Sequence, residues 1–142
     1  MDSNTLRCGL LGRTLGHSYS PAIHRQLAGY GYELFAVEPE NLAAFLSSDR
    51  FDGLNVTIPY KKAVIPYLSA LSDTARAIGA VNTIVRRPDG TLWGDNTDAY
   101  GFSMLVQASG AEIAGKKALV FGSGGASRTA QYVLKMLGAR EV

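Results

Sequence analysis

Three short segments carry polar side chains where a strand or loop is predicted to run into a helix. They are Gly16-His17-Ser18-Tyr19-Ser20-Pro21, Asn55-Val56-Thr57-Ile58-Pro59-Tyr60-Lys61 and Gly94-Asp95-Asn96-Thr97-Asp98. Taken singly, most of these residues are explained as ordinary helix caps or strand ends. Taken together, hydroxyls at helix N-termini would bind an anion, and a pair formed by Lys61 and Asp98 could pass a proton to or from a substrate oxygen. This chemistry suits an alcohol and ketone couple.

A glycine-rich run lies between a predicted strand and a predicted helix, and it consists of Gly122, Ser123, Gly124, Gly125, Ala126 and Ser127. Gly122 permits a tight turn, Gly124 lets the backbone approach a pyrophosphate, and Ser127 stands where glycine or alanine is usual. The alternative is an ordinary turn between a strand and a helix. The strand-to-helix context favours a phosphate-binding loop.

The elements that position these residues alternate between strands and helices. Apolar patterning predicts strands over residues 6–10, 32–37, 54–58 and 80–86, with a hairpin partner at 91–93, and a buried strand over 117–121. It predicts helices over residues 20–28, 42–46, 63–68, 96–110 and 130–137, the fourth of them burying Phe102, Leu105 and Val106. Such alternation is typical of an α/β fold with a mainly parallel sheet and helices on both faces, followed by the first strand and helix of a Rossmann unit.

The chain divides into a first domain over residues 1–100, a connecting helix and linker over 101–115, and a truncated Rossmann unit over 116–142. In that unit, the strand has an unpaired edge and the helix an uncovered apolar face. We therefore expect self-association or local disorder after Gly115.

Composition narrows the class of protein. The 142 residues are 46% apolar and 18% charged with a net charge of +2, which argues for a compact soluble protein and against disorder. A single cysteine, Cys8, and a start without a secretory signal predict a cytoplasmic location. No apolar run approaches the roughly 20 residues that span a bilayer. The basic residues are scattered, so no nucleic-acid partner is expected, and no metal site is predicted.

The three segments, together with Gly79-Ala80-Val81-Asn82-Thr83 and the glycine-rich run, resemble in order and spacing the motif series of shikimate dehydrogenases. The resemblance extends over nearly the whole chain from Cys8, and it matches the amino-terminal half of such an enzyme. One departure is Thr14, which stands where the family often has proline.

The resemblance implies roles for the residues singled out above. Ser18 and Ser20 would hold the substrate carboxylate, and Lys61 and Asp98 would be the catalytic pair. The ring hydroxyls would be bound by Thr57, Asn82 and Asp98. The first domain would bind shikimate, and residues 122–127 would bind the cofactor NADP(H).

The activity implied by the resemblance is the reversible NADPH-dependent reduction of 3-dehydroshikimate to shikimate, in chorismate and aromatic amino acid biosynthesis. Two alternatives stay open: a quinate/shikimate dehydrogenase, and a substrate-binding module without catalysis. The family's remaining nucleotide-binding sheet would lie beyond Val142, so we expect the 142-residue chain by itself to be inactive.

Overall fold

The computed structural model describes residues 6–27 and 29–142, and within these ranges six strands form one sheet. The strands are β1 (Arg7–Gly12), β2 (Gly31–Ala36), β3 (Gly53–Val56), β4 (Ala70–Leu71), β5 (Thr83–Arg86) and β6 (Leu92–Asp95). Their order across the sheet is β2-β1-β3-β5-β6-β4. The β1–β2, β1–β3 and β4–β6 pairs are parallel, whereas β3–β5 and β5–β6 are antiparallel. The predicted mainly parallel α/β sheet is confirmed.

Helices connect most of the strands. They are α1 (Ser20–Leu27), α2 (Leu42–Ser47), α3 (Tyr60–Ala63), α4 (Asp73–Ile78), α5 (Asp98–Ala108) and α6 (Gly125–Met136). Short 3-10 turns over Pro39–Asn41 and Ile65–Tyr67 precede α2 and follow α3. Across the described ranges, none of the helices has both the length and the apolar character needed to cross a membrane.

Helices lie on both faces of the sheet, as predicted. Leu11 pairs with Phe35 in the parallel ladder, and the Phe35 ring packs against Phe45 of α2 with 5.0 Å between centroids. Tyr32 is three positions before Phe35 in β2, so its side chain lies on the opposite face. There the ring stacks on His24 of α1 at 3.8 Å. The larger core cluster, which includes Leu11 and Phe35, lies on the α2 side.

Two arginines tie loops to this sheet. The Arg86 guanidinium lies over the Phe51 ring at 4.5 Å and donates hydrogen bonds to the carbonyls of Ser48 at 2.6 Å and Phe51 at 3.0 Å. At the start of β1, Asp52 accepts hydrogen bonds from the backbone of Arg7 at 2.8 Å and from its guanidinium at 3.0 and 3.1 Å. These bonds from Arg7 hold the pKa of Asp52 below its usual value.

The helix predicted over residues 63–68 is broken. The one-turn helix α3 ends at Ala63, and Pro66 lies within the following 3-10 turn. Proline has no N–H to donate, and its ring disfavours helical geometry in the residue before it. The apolar stripe of α1 also differs from expectation, because Ile23 and Leu27 are 53% and 71% exposed.

The predicted buried strand over residues 117–121 is wrong. Within the described residues, this segment pairs with the rest of the chain through a single bridge between Lys117 and Glu141. Leu119 and Phe121 are 79% and 88% exposed because no neighbouring strand extends alongside them. Leu105 of α5 was predicted to be buried, but it is 66% exposed because no neighbouring element covers it either. Self-association or disorder of this region stays a prediction.

The helix of this unit is confirmed. Val133 and Leu134 of α6 are buried, as the apolar spacing predicted. Val133 packs with Ile78 at the end of α4 and with Ala99 of α5 in a second core cluster. Helix α6 is therefore packed on α4 and α5 by its own apolar face, and the expectation that this face is uncovered is wrong.

We expect Gly9→Ala to destabilise the sheet. An alanine methyl group at this position in β1 would overlap the Phe35 ring and lie 2.6 Å from the Glu33 carbonyl oxygen. Overpacking of this kind costs about 1–3 kcal/mol in the free energy of unfolding. Gly101→Ala is the matched control, because its methyl group meets open space and replacing a helical glycine gains up to about 1 kcal/mol. Urea unfolding measures both, and equal stabilities of the two variants would contradict the packing at Gly9.

Candidate active site

The site is built around an ion pair between the predicted lysine and aspartate. Lys61 lies in the single turn α3, and Asp98 is the first residue of α5. The Nζ of Lys61 donates to Oδ2 of Asp98 at 2.5 Å, with the two side chains 19% and 41% exposed. The Lys61 carbonyl accepts a hydrogen bond from the Val81 backbone at 2.7 Å. The lysine is therefore fixed at its backbone and at its charged end.

Asn82 fixes the start of the helix that carries Asp98. Its side chain is 8% exposed, and Oδ1 accepts a hydrogen bond from the Thr97 backbone at 2.8 Å. Its Nδ2 donates to the Thr97 hydroxyl at 3.0 Å. Asn82 thus holds the residue directly before Asp98, which brings three of the predicted site residues, Lys61, Asn82 and Asp98, to one place.

The predicted serines lie in a second polar cluster at the start of α1. The Ser18 hydroxyl accepts a hydrogen bond from the Ser20 backbone at 3.2 Å. Close by, the Tyr32 hydroxyl donates to Oδ1 of Asn55 at 2.7 Å. Burial raises the pKa of Tyr32 to about 12, while the nearby Ser20 hydroxyl opposes this shift. No hydrogen bond among the described residues joins the serines directly to Lys61, so their convergence on one pocket stays a prediction.

Two cavities meet at Lys61. One of about 450 Å³ places Thr57 and Lys61 opposite Gly124 and Gly125. The other, of about 650 Å³, is lined by Lys61 and Asp98 together with Ser127 of the glycine-rich run. The ion pair therefore faces the start of α6, and Thr57 shares a cavity with Lys61 as predicted.

The glycine-rich run has the geometry of a loop that could hold a phosphate. Gly122 has a φ of +119°, which favours glycine. A methyl group at Gly124 would meet no atom within 4 Å, so the backbone there is open to a ligand. The first N–H groups of α6 have no acceptor within the helix and carry the positive end of its dipole. The loop thus fits a pyrophosphate group.

The Ser127 side chain stabilises the turn of this loop. Its hydroxyl donates to the Gly122 carbonyl at 2.7 Å and accepts a hydrogen bond from Gln131 at 3.1 Å. The side chain closes the turn, which explains a serine at the position where glycine or alanine is usual. Its contribution to cofactor binding stays a prediction.

Sequence reasoning did not single out Asn55, Thr97 or Tyr32 as site residues. Asn55 and Thr97 lie within the motifs, and their polar side chains at the ends of elements could have identified them as site residues. A tyrosine such as Tyr32 is ordinary in a strand and carried no such signal. Among the described residues, no group of three or more histidine, cysteine, aspartate or glutamate side chains is arranged to hold a metal ion.

The fold and the ion pair define an α/β domain with a small-molecule site facing a glycine-rich helix start. The family model of the shikimate dehydrogenase substrate binding domain matches residues 10–84. The chain belongs to this family.

The similar proteins are longer than this chain. The NADP(+) shikimate dehydrogenase of Halothermothrix orenii is 45% identical, over 99% of this chain and 52% of the relative. The shikimate 5-dehydrogenase of Thermus thermophilus, solved in complex with NADP(H) and shikimate, has a TM-score of 0.86 at 36% identity, covering 96% of this chain and 54% of that one. The Aquifex aeolicus shikimate dehydrogenase has the same TM-score and identity, over 99% and 56%. The chain spans about half the length of the relatives it matches.

We expect Tyr32 to make folding sensitive to alkaline pH. Its pKa in the folded protein, about 12, lies above the ordinary value of 10.0, so the folded state favours the neutral phenol. The resulting stabilisation is fully present below pH 10 and is lost as the pH rises through about 12. Urea unfolding at increasing alkaline pH should show a smaller loss of stability for Tyr32→Phe than for the unsubstituted protein. A tyrosinate absorbance difference between the two proteins that titrates near pH 10 would contradict this assignment.

Proposed function

We propose that the 142 residues are the amino-terminal portion of an enzyme that catalyses the reversible, NADP-dependent reduction of 3-dehydroshikimate to shikimate. The observation that carries this proposal is the Lys61–Asp98 ion pair, at 2.5 Å, placed opposite the glycine-rich start of α6. The activity named for the relatives supports it, as does the Thermus thermophilus structure with both ligands. We infer a place in chorismate and aromatic amino acid biosynthesis, and a cytoplasmic location.

The proposal assigns substrate binding and cofactor binding to different parts of the chain. Residues 1–100 form the substrate-binding domain, residues 101–115 connect it, and residues 116–142 begin the NADP-binding unit. Ser18 and Ser20 bind the substrate carboxylate, since hydroxyls at a helix start suit an anion. The ring hydroxyls are bound by Thr57, Asn82 and Asp98.

Lys61 handles the proton at the reacting oxygen. Its ammonium donates a proton to the oxygen of the ketone as that oxygen gains negative charge in the reduction, and it recovers the proton from the hydroxyl in the oxidation. Asp98 accepts a hydrogen bond from Nζ and so directs the ammonium. NADP(H), when bound, supplies or accepts the hydride, and residues 122–127 with the first N–H groups of α6 would hold its pyrophosphate.

The direct test mixes the full-length enzyme with shikimate and NADP⁺ and follows the absorbance of reduced nicotinamide. Steady turnover with shikimate supports the proposal. Turnover that favours quinate would indicate a quinate/shikimate dehydrogenase. Binding of shikimate by the full-length protein without turnover would indicate a substrate-binding module. For the 142 residues by themselves we expect binding without turnover.

We expect Lys61→Ala to reduce turnover much more than substrate affinity, because the proton is transferred mainly in the transition state. Loss of a general acid typically lowers kcat by about 10² to 10⁴. Steady-state kinetics on the full-length enzyme, with shikimate affinity measured by calorimetry, separates the two effects. Lys116→Ala is the control, because this exposed lysine lies outside both cavities. A variant with normal kcat and weak binding would assign Lys61 to binding alone.

We expect Ser18→Ala and Ser20→Ala to weaken shikimate binding. A hydrogen bond to a charged group contributes about 1.5–3 kcal/mol, which corresponds to an affinity loss of roughly tenfold or more. Calorimetry on the chain should show this loss for shikimate and a smaller one for its methyl ester, which lacks the carboxylate charge. Ser109→Ala, at the end of α5, is the control. An equal loss with both ligands would contradict the carboxylate assignment.

A further inference from the structure

We infer that Gly125 positions Lys61, because its lack of a side chain lets the first turn of α6 pack directly on the aliphatic part of the lysine. This inference rests on the proposed function and deepens it. It gives a residue of the glycine-rich run a role in the substrate half of the site, separate from any contact with phosphate.

The contact between the two residues is close. A methyl group at position 125 would lie 3.0 Å from Cδ of Lys61, 3.2 Å from its Cβ and 3.7 Å from Cβ of Ala80. The two separations from Lys61 are shorter than ordinary van der Waals contacts between carbon atoms, whereas the separation from Ala80 is an ordinary contact. With glycine there, the backbone of α6 itself forms one wall of the space that holds the lysine side chain.

Lys61 has little freedom to yield to such a methyl group. Its Nζ is held by Asp98 at 2.5 Å, and its own carbonyl accepts the hydrogen bond from Val81 at 2.7 Å. The Cβ atom next to that backbone cannot swing aside as the end of a free lysine could. A side chain at position 125 would therefore displace either α6 or the lysine from the position that meets Asp98.

The first turn of α6 is held as well. The Thr129 hydroxyl donates to the Gly125 carbonyl at 3.1 Å, and it accepts a hydrogen bond from Asn96 at 3.3 Å. Asn96 is 2% exposed and also donates to the Ala80 carbonyl at 2.9 Å. Because Asn96 lies two residues before Asp98, one short segment anchors both the helix that packs on Lys61 and the carboxylate that pairs with it.

Gly124 provides the comparison. It lies in the same run, next to Gly125, yet a methyl group there would meet nothing within 4 Å. Both positions belong to the proposed phosphate-binding loop, so a substitution at either one can weaken cofactor binding. Only a substitution at Gly125 meets the lysine.

The test measures shikimate affinity without any nucleotide, by calorimetry on the 142-residue chain. Gly125→Ala should weaken binding roughly fivefold, because a displaced Lys61 ammonium would draw its partner Asp98, which is assigned to a ring hydroxyl, out of position. Gly124→Ala should leave this affinity within about twofold. Since no cofactor is present, loss of a phosphate contact cannot produce the difference. In a Lys61→Ala background, Gly125→Ala should have little further effect on shikimate affinity. If Gly125→Ala weakened the fold in general, its effect on affinity would persist without the lysine.

Thr129→Val keeps the inference testable if Gly125→Ala does not fold. It retains the shape of the side chain but removes the hydroxyl that binds Gly125 and Asn96, and it should weaken nucleotide-free shikimate binding about two- to threefold. The inference would be overturned if folded Gly125→Ala or folded Thr129→Val bound shikimate with wild-type affinity. Equal losses of affinity in Gly124→Ala and Gly125→Ala would also overturn it. Each of these results would leave the proposed function standing. Absence of shikimate binding by the unsubstituted chain would overturn the proposed function, and the inference with it.

Discussion

Holding Lys61 against Asp98 is the constraint on which the arrangement of the site depends. A helix of one turn has little stability of its own, since nucleation costs more than its few hydrogen bonds return. The turn α3 is instead held by its packing. Tyr60 is 2% exposed and its hydroxyl donates to the Val37 carbonyl, while Val64 is fully buried. These two anchors lie on either side of Lys61 and fix the backbone from which its side chain extends.

The mixed topology of the sheet brings the polar residues to one edge. Strands β1 and β3 are parallel and end there, so the chain after β3 passes Gly12 closely enough that a methyl group at Gly12 would lie 2.7 Å from Thr57. Strand β5 runs in the opposite direction and begins at this edge, which places Asn82 beside the ends of its neighbours. Strand β6 ends there and leads into Asp98. An all-parallel sheet would have left the start of β5 at the far side.

The sequence locates the motif residues within the fold better than it predicts burial. The motif residues lie at the ends of elements, where a local pattern of strand, turn and cap is sufficient to locate them. The exposure of Ile23 and of Phe121 depends instead on which elements pack over them, and periodicity carries no information about a partner. Helix α4 could have been predicted, because Ser72 accepts a hydrogen bond from the Ala75 backbone and Gly79 ends the helix with a φ of 70°. The contact of Gly125 with Lys61 joins residues 64 positions apart, and no local pattern reports it.

The contacts of Arg86 are insensitive to acid. Its guanidinium is bound by main-chain carbonyls and an aromatic ring, none of which gains a proton in the acidic range. Arg7, by contrast, depends on the Asp52 carboxylate, and the stabilisation from that pair is lost as the pH falls through the lowered pKa of Asp52. Acidification therefore weakens the contact at the beginning of β1, where the Asp52 N–H still donates to the Arg7 carbonyl at 2.8 Å, and leaves the bond from Arg86 to the end of α2 intact.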